Sequence, residues 1–116
     1  MRNFLVHFVL KLEPRMYEQQ GDMIQDQYEE IFEVVFIMKG GVGVGYRLFN
    51  EIFYGTMITM DSKTRKHASV INDYSCLYNK CSEFLYKPIE KVEALAMRKS
   101  NFIKCMGEHL AKKMRP

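Results

Sequence analysis

The sequence predicts an α+β domain: a jelly-roll-like β-roll of about eight antiparallel strands, flanked by an N-terminal and a C-terminal helix. Apolar residues recur at helical spacing near both ends of the chain. Between them the apolar residues alternate with a period of two or run without interruption, as they do in strands. Gly21-Asp22 and Gly40-Gly41 are typical turn pairs and divide this middle part.

The elements are assigned in chain order. The helix over residues 1–13 has its apolar positions at helical spacing, and Pro14 ends the pattern. The roll is expected over residues 16–98, with a final strand at Val92 to Met97. Within it, Ile31 to Met38 is typical of a strand buried on both faces, and Asn50 to Ile58 is a second aromatic and β-branched run. The polar, basic stretch from Thr59 to Ser69 is predicted to be a loop.

The C-terminal helix is predicted over residues 100–115. Ser100 is a good N-cap, and basic residues near the end suit the negative end of the helix dipole. Gly107 weakens the helix by about 1 kcal/mol relative to alanine. Its apolar face is predicted to contain Phe102, Ile103, Met106, Leu110 and Met114.

Composition excludes several classes of function. The 116 residues, 47% of them hydrophobic, suit a single domain over 1–116, and the net charge of +3 is too small to indicate nucleic-acid binding. No apolar stretch approaches the about 20 residues needed to cross a bilayer. The three cysteines show no metal-ligand spacing and favour a reducing, cytosolic setting. The three histidines lack nucleophilic partners at recognisable spacing, so no enzyme chemistry is predicted.

Residues 21–44 carry a resemblance to a known family. They contain Gly-Asp-x-Ile, a Glu-Glu turn, an aromatic-Ile pair and a Gly-Val-Gly-Val segment. This order is similar to the opening strands of the cyclic nucleotide-binding domain. The resemblance implies an eight-stranded jelly roll flanked by helices, a regulatory role, and cAMP or cGMP as the possible ligand.

The family's phosphate-binding cassette corresponds to a stretch that departs from the family pattern. Six residues are the cassette counterparts and candidate ligand-binding positions: Ile71, Asn72, Asp73, Tyr74, Ser82 and Glu83. Asn72 stands at a family glycine and tolerates positive φ, whereas Asp73 stands at the glutamate that accepts a ribose hydroxyl. Ser82 replaces the arginine that forks onto the phosphate, and Glu83 adds a negative charge. Lys80, two residues away, does not reproduce that fork.

The cassette therefore predicts weak or no binding of cyclic nucleotides. Loss of one charge-assisted hydrogen bond costs roughly 1.5 to 3 kcal/mol, or about one to two powers of ten in affinity. Four aromatic residues near the cassette either fill the pocket or belong to the core at period two, and the core is favoured. They are Tyr74, Tyr78, Phe84 and Tyr86. A second local cluster is basic, and solvation is favoured over contact with acidic lipid. It comprises Lys63, Arg65, Lys66 and His67.

The segment from Leu12 through Pro14 to Tyr17 is similar to the entry into the first strand in voltage-gated and cyclic-nucleotide-gated cation channels. This resemblance implies a cytosolic regulatory domain of a cation channel, with a potassium channel as the first expectation. Its partners are then the rest of the channel polypeptide and its gating linker, tetrameric in the parent. Two alternatives stay open, a functional cAMP or cGMP sensor and a scaffold domain of a larger assembly.

Overall fold

Six strands and three helical segments form the described part of the chain. The computed structural model describes residues 6, 8–19, 21–60 and 69–114; for residues 60 and 108–114 it describes the backbone alone. Helix α1 contains residues 6 and 8–10. The other elements, in chain order, are β1 (Glu13–Tyr17), β2 (Glu33–Leu48), β3 (Glu51–Met60), β4 (Ser69–Ile71), α2 (Asp73–Leu77), β5 (Leu85–Pro88), β6 (Val92–Arg98) and α3 (Lys99–Met114).

Strand β2 is 16 residues long and joins both halves of the roll. Its first half pairs antiparallel with β6 and β4, and its second half pairs antiparallel with β3 and β5. Strand β1 covers the other edge of β6. The change from one set of partners to the other falls at Gly40, whose φ is 112°.

The predicted α+β roll is confirmed, with six strands in the described ranges instead of about eight. Gly40-Gly41 was predicted to be a turn and is not one, because both residues pair with β3 and the chain continues as a single strand. Before β2, Gln25 forms an isolated β-bridge with Tyr86. The true hairpin turn lies at Phe49 and Asn50, which both have positive φ. The basic cluster within 61–68 lies outside the described residues.

Two apolar clusters hold the roll and the helices together. The first lies inside the roll and contains Ile24, Val35, Ile37, Val42, Ile71, Val92, Ala94 and Ala96. The second lies between the roll and the helices and contains Ile31, Val34, Cys76, Met97 and Phe102. Val34 and Val35 are adjacent and both fully buried, which confirms that this part of β2 is buried on both faces.

The described parts of α1 and α3 pack against the second cluster. Phe8 of α1 meets Phe36 edge to face at 5.6 Å, and Phe102 of α3 is buried. Ile103 was predicted on the buried face of α3 but is 42% exposed. Cys105 is buried instead, because the face that contacts the roll passes through residues 102 and 105. Within the described residues, no helix is long and apolar enough to span a bilayer.

A substitution at Gly40 tests the continuity of β2. A Cβ added there would lie 2.3 Å from the backbone oxygen of Lys91, and a φ of 112° strains any L side chain. We expect Gly40→Ala to lower the free energy of unfolding by about 2 to 6 kcal/mol, the combined cost of strain and overpacking. Gly55→Ala is the matched control, since nothing lies within 4 Å of its Cβ position. Urea unfolding measures both, and equal stabilities for the two variants would contradict this account of β2.

Candidate functional site

A cavity of about 220 Å³ opens beside α2 and brings most of the predicted cassette residues together. Two stretches of the chain line it, 70–75 and 80–86. The lining residues are Val70, Asn72, Asp73, Tyr74, Ser75, Lys80, Cys81, Ser82, Glu83, Phe84 and Tyr86. Ile71 is the one cassette counterpart outside this set, because its side chain points into the core and is 1% exposed. We call this cavity the cassette pocket.

Asn72 fixes the start of α2 against the roll. Its φ of 76° places it in the left-handed region, which asparagine tolerates better than most residues. Its side-chain amide is buried and donates to Gln25 Oε1 at 3.1 Å and to the carbonyl oxygen of Glu33 at 3.2 Å. Gln25 Nε2 in turn donates to the carbonyl oxygens of Asp26 and Glu29. The amide of Asn72 therefore serves the architecture and is not directed at a ligand.

The polar groups of Ser82 are also engaged in hydrogen bonds within the protein. Its side chain is buried, and its hydroxyl donates to the carbonyl oxygen of Phe84 at 2.5 Å. Its carbonyl oxygen accepts from the amide of Tyr28 at 2.7 Å, and its own amide donates to Glu29 at 3.4 Å. Where the family resemblance leads us to expect a guanidinium facing a phosphate, the chain has a hydroxyl that already satisfies a backbone carbonyl.

The charges lining the pocket are predominantly negative. Asp73 lies in the first turn of α2, and Glu83 belongs to the lining stretch 80–86. Both side chains are exposed. Burial, followed by the negative charges of Asp73 and Glu83, raises the pKa of the Tyr86 phenol. Lys80 is the one cation among the described lining residues, and its Nζ lies 5.4 Å from the ring centre of Tyr74. One ammonium against two carboxylates leaves one net negative charge.

The four aromatic residues near the cassette differ from the prediction in how deeply they are buried. Tyr74, Tyr78 and Phe84 are 59%, 61% and 45% exposed, so the prediction that they are core residues is wrong. Only Tyr86 packs against the first apolar cluster. A period of two does not apply to Tyr74 and Tyr78. They lie four residues apart, in α2 and just after it, and their ring centres are 4.5 Å apart with the planes tilted by 37°. Three of the four rings, those of Tyr74, Phe84 and Tyr86, line the pocket.

Sequence reasoning missed the role of Gln25. Its partner Asn72 is 47 residues away in the chain, and no local pattern links the two positions. No local signal marks Gln25, a polar residue that is followed by the equally polar Asp26 and Gln27. Such a residue is buried only when its amide has partners.

Comparison of the fold with solved structures identifies its class. No family model and no curated protein matches the chain at a significant level. The cAMP-bound PfPKA-R fragment 141–441 superposes with a TM-score of 0.77 at 17% identity, over 97% of this chain and 38% of that one. The regulatory subunit of a cAMP-independent protein kinase A from Trypanosoma cruzi, bound to guanosine, gives 0.75 at 18% identity, over 92% and 35%.

A channel domain has the same fold. The C-linker/CNBHD of zELK channels, crystallised in the presence of cAMP, superposes with a TM-score of 0.73 at 11% identity, over 96% of this chain and 52% of that one. The chain thus has the fold of cyclic nucleotide-binding domains, as its sequence resemblance predicted. It spans between about a third and a half of the length of these three structures, as the 38%, 35% and 52% coverages show.

The anchor between Asn72 and Gln25 can be tested by a double-mutant cycle. Asn72→Gly keeps the positive φ but removes both side-chain hydrogen bonds, leaving Gln25 Oε1 buried without its partner. We expect a loss of about 1 to 3 kcal/mol in the free energy of unfolding, and a similar loss for Gln25→Ala. The double variant should lose less free energy of unfolding than the two single variants lose together, with a coupling energy of about 0.5 to 3 kcal/mol.

Asn50→Gly provides the matched control for this cycle. It changes another asparagine with positive φ, 64°, at an exposed hairpin turn. Its stability should stay within about 0.5 kcal/mol of the starting protein. Strictly additive losses at 72 and 25, measured by denaturant unfolding, would show that the two side chains do not form one unit.

Proposed function

We propose that this chain is a regulatory domain with the cyclic nucleotide-binding fold whose pocket holds cAMP and cGMP weakly or not at all. The observation that carries the proposal is the charge of the cassette pocket: among the described residues that line it, two carry a carboxylate, one carries an ammonium and none is an arginine. A cyclic nucleotide carries one negative charge on its phosphodiester. That charge is unfavourable beside Asp73 and Glu83 unless a cation compensates for both carboxylates.

The remaining polar groups offer the phosphate little compensation. Ser82 has its hydroxyl, amide and carbonyl engaged by neighbouring backbone groups. Lys80 is a flexible point charge, already placed over the Tyr74 ring, and it does not reproduce the two parallel bonds of a guanidinium. The loss of one charge-assisted bond alone weakens binding by about one to two powers of ten.

We further propose that the domain belongs to a cation channel, with a potassium channel as the first candidate, and lies on the cytosolic side of the membrane. Two observations support this: the spacing of Leu12, Pro14 and Tyr17, and the likeness in fold to a channel C-linker domain. In this proposal the partners are the gating linker and the other subunits of a tetrameric parent. The domain has no catalytic role, and a change in how α1 and α3 pack on the roll biases pore opening.

Restoring the guanidinium tests the proposal for the pocket. Calorimetric titration of the 116-residue chain with cAMP and cGMP should show weak or no binding, and Ser82→Arg should raise the affinity about 10- to 150-fold. Because Ser82 is buried, Glu83→Arg is a second variant that places a guanidinium at an exposed position of the same pocket. Thr56→Arg on exposed β3 is the control for added charge, and it should leave binding unchanged.

Tight binding by the unmodified chain would instead identify a functional cAMP or cGMP sensor. A micromolar dissociation constant that is lost in Asp73→Ala would establish that alternative and contradict the proposed function of the pocket. The melting temperature of every variant, compared with the starting protein, separates a change in affinity from a loss of folding.

The channel context makes a separate prediction about the parent gene product. Sequencing of full-length transcripts from the locus should show this segment downstream of six apolar spans, each of about 20 residues. Co-expression of that longer product with a truncated form lacking the domain should shift the voltage or ligand dependence of the current. A longer product without apolar spans would favour the scaffold alternative over the channel.

A further inference from the structure

We propose that the outer edge of strand β3 pairs with the same edge of a second copy of this chain, so that two domains join through antiparallel strands. This inference goes beyond the proposed function and concerns a different surface, since no residue of β3 belongs to the described lining of the cassette pocket. It follows from the place of β3 in the sheet, from its composition and from the way its residues match a second β3.

Strand β3 lies at the edge of the sheet. Among the residues that the structure describes, β3 pairs with β2 along one side, and no strand pairs with its other side. An edge strand presents a row of backbone N–H and C=O groups that can pair with another chain. The partner that satisfies such a row is an extended segment that adds a strand to the sheet.

The composition of β3 lacks the features that usually prevent such pairing. Its ten residues include no proline, lysine or arginine, and their one charge is that of Glu51 at the start of the strand. Strand β1, at the opposite end of the strand order, has only five residues and contains both Pro14 and Arg15. Short length, proline and charge are typical of protected edges. The two edges therefore differ in their capacity to pair.

Exposed apolar side chains of β3 lie on both faces of the sheet. Residues directly opposite each other in paired strands share a face. Phe53 lies opposite Tyr46, and their rings stack with centres 5.8 Å apart. Tyr54 and Met57 lie on the other face, opposite Gly45 and Gly43, and all three β3 side chains are exposed. A strand added beside β3 would cover part of both faces at once.

A bulge in the middle of β3 decides how a second copy can fit. Thr56 pairs with Val44 and Tyr54 pairs with Gly45, so Gly55 is an extra residue on β3. A bulge discourages pairing with a regular strand because it bends the edge. A second β3 carries the same bulge at the same place. In the antiparallel register that pairs all ten residues, Gly55 of each copy lies opposite Thr56 of the other, and the two bulges meet at the two-fold axis.

The same register brings together side chains that share a face. Phe53 lies opposite Ile58 of the second copy, on the face where Ile58 packs against the first apolar cluster. Tyr54 lies opposite Met57 of the second copy, on the other face. Aromatic side chains paired across strands with apolar neighbours stabilise a sheet. The second copy thus offers an extended segment whose bulge and apolar faces both match those of β3.

The charges of the two strands also favour this antiparallel arrangement. Glu51 of each copy lies at one end of the shared pair, so the two carboxylates are nine residues, or about 30 Å, apart along the strands. A parallel pair would place them side by side, where like charges repel. An isologous contact of this kind joins copies in twos. In a tetrameric parent it would join the four domains as two pairs.

Sedimentation of the 116-residue chain over a range of concentrations tests the pairing. We expect a reversible dimer whose fraction rises with concentration. Met57→Lys should weaken dimerisation by at least about tenfold, because each copy would then bring an ammonium without a partner into the strand pair. Met16→Lys in β1 is the matched control, since both methionines lie on edge strands and are 53% and 55% exposed. It should leave the dimer unchanged.

Cysteine cross-linking tests the register without relying on a lysine in the strand. The double variant Tyr54→Cys/Met57→Cys also carries Cys81→Ser, which removes the exposed native thiol. Mild oxidation should give a covalent dimer, because each new thiol lies opposite its partner in the second copy. Neither single variant should cross-link, since each position is about 10 Å from its own counterpart, beyond the about 7 Å between Cα atoms that a disulfide spans.

The outcomes decide the inference independently of the nucleotide titrations. A chain that stays monomeric at every concentration overturns it and leaves the edge of β3 to a strand of another protein. A dimer that persists in Met57→Lys, or that Met16→Lys weakens equally, uses another surface and also overturns it. A folded double-cysteine variant that does not cross-link contradicts the pairing of Tyr54 with Met57. Melting curves of all variants separate a lost dimer from a lost fold.

Discussion

The structure depends on one constraint, the passage of β2 from one half of the roll to the other without a break. A single strand can take part in both halves only if its backbone changes direction while it keeps its hydrogen-bonded partners. Gly40 makes this possible because its φ of 112° is open to glycine and because its missing side chain leaves room for the backbone at Lys91. The strands that carry the pocket, β4 and β5, both pair with β2. The position of the pocket is therefore set by this strand.

The pocket keeps its place in the fold while its chemistry differs from that of an anion site. The left-handed backbone at Asn72 starts α2 as the family pattern requires, yet the side chain is used to hold α2 on Gln25. The hydroxyl of Ser82 is likewise turned to a backbone carbonyl. Residues that resemble ligand-binding positions by sequence are here structural supports. The groups left to meet a ligand are then the carboxylates of Asp73 and Glu83 and the neighbouring rings.

Much of the fold could be predicted from the sequence because its strongest signals are local. The adjacent buried valines of β2 and the helical spacing at the two ends of the chain were sufficient for the α+β roll. Gly40-Gly41 was misleading because glycine pairs usually mark turns, and only the long-range partners in β3 show that the strand continues. The site was less predictable, since the bond between Asn72 and Gln25 joins positions 47 residues apart. Tyr74 and Tyr78 were predicted to be buried because they were assigned to a strand-like pattern with a period of two. They are exposed because the chain forms the helix α2 there.

The second apolar cluster gives the pocket a physical route to the C-terminal helix. Cys76 of α2 is buried beside Met97 and Phe102, so the inner side of α2 packs in the same cluster as the start of α3. Lys99 Nζ also donates to Asn79 Oδ1 at 2.8 Å, which ties the end of the cassette turn to the first residue of α3. A displacement of α2 would therefore disturb the packing at the start of α3, because closely packed side chains do not deform independently. These contacts between α2 and α3 are made by protein groups alone. The proposed regulatory role would use this packed connection, whereas the affinity for a ligand would depend on the residues that line the cassette pocket.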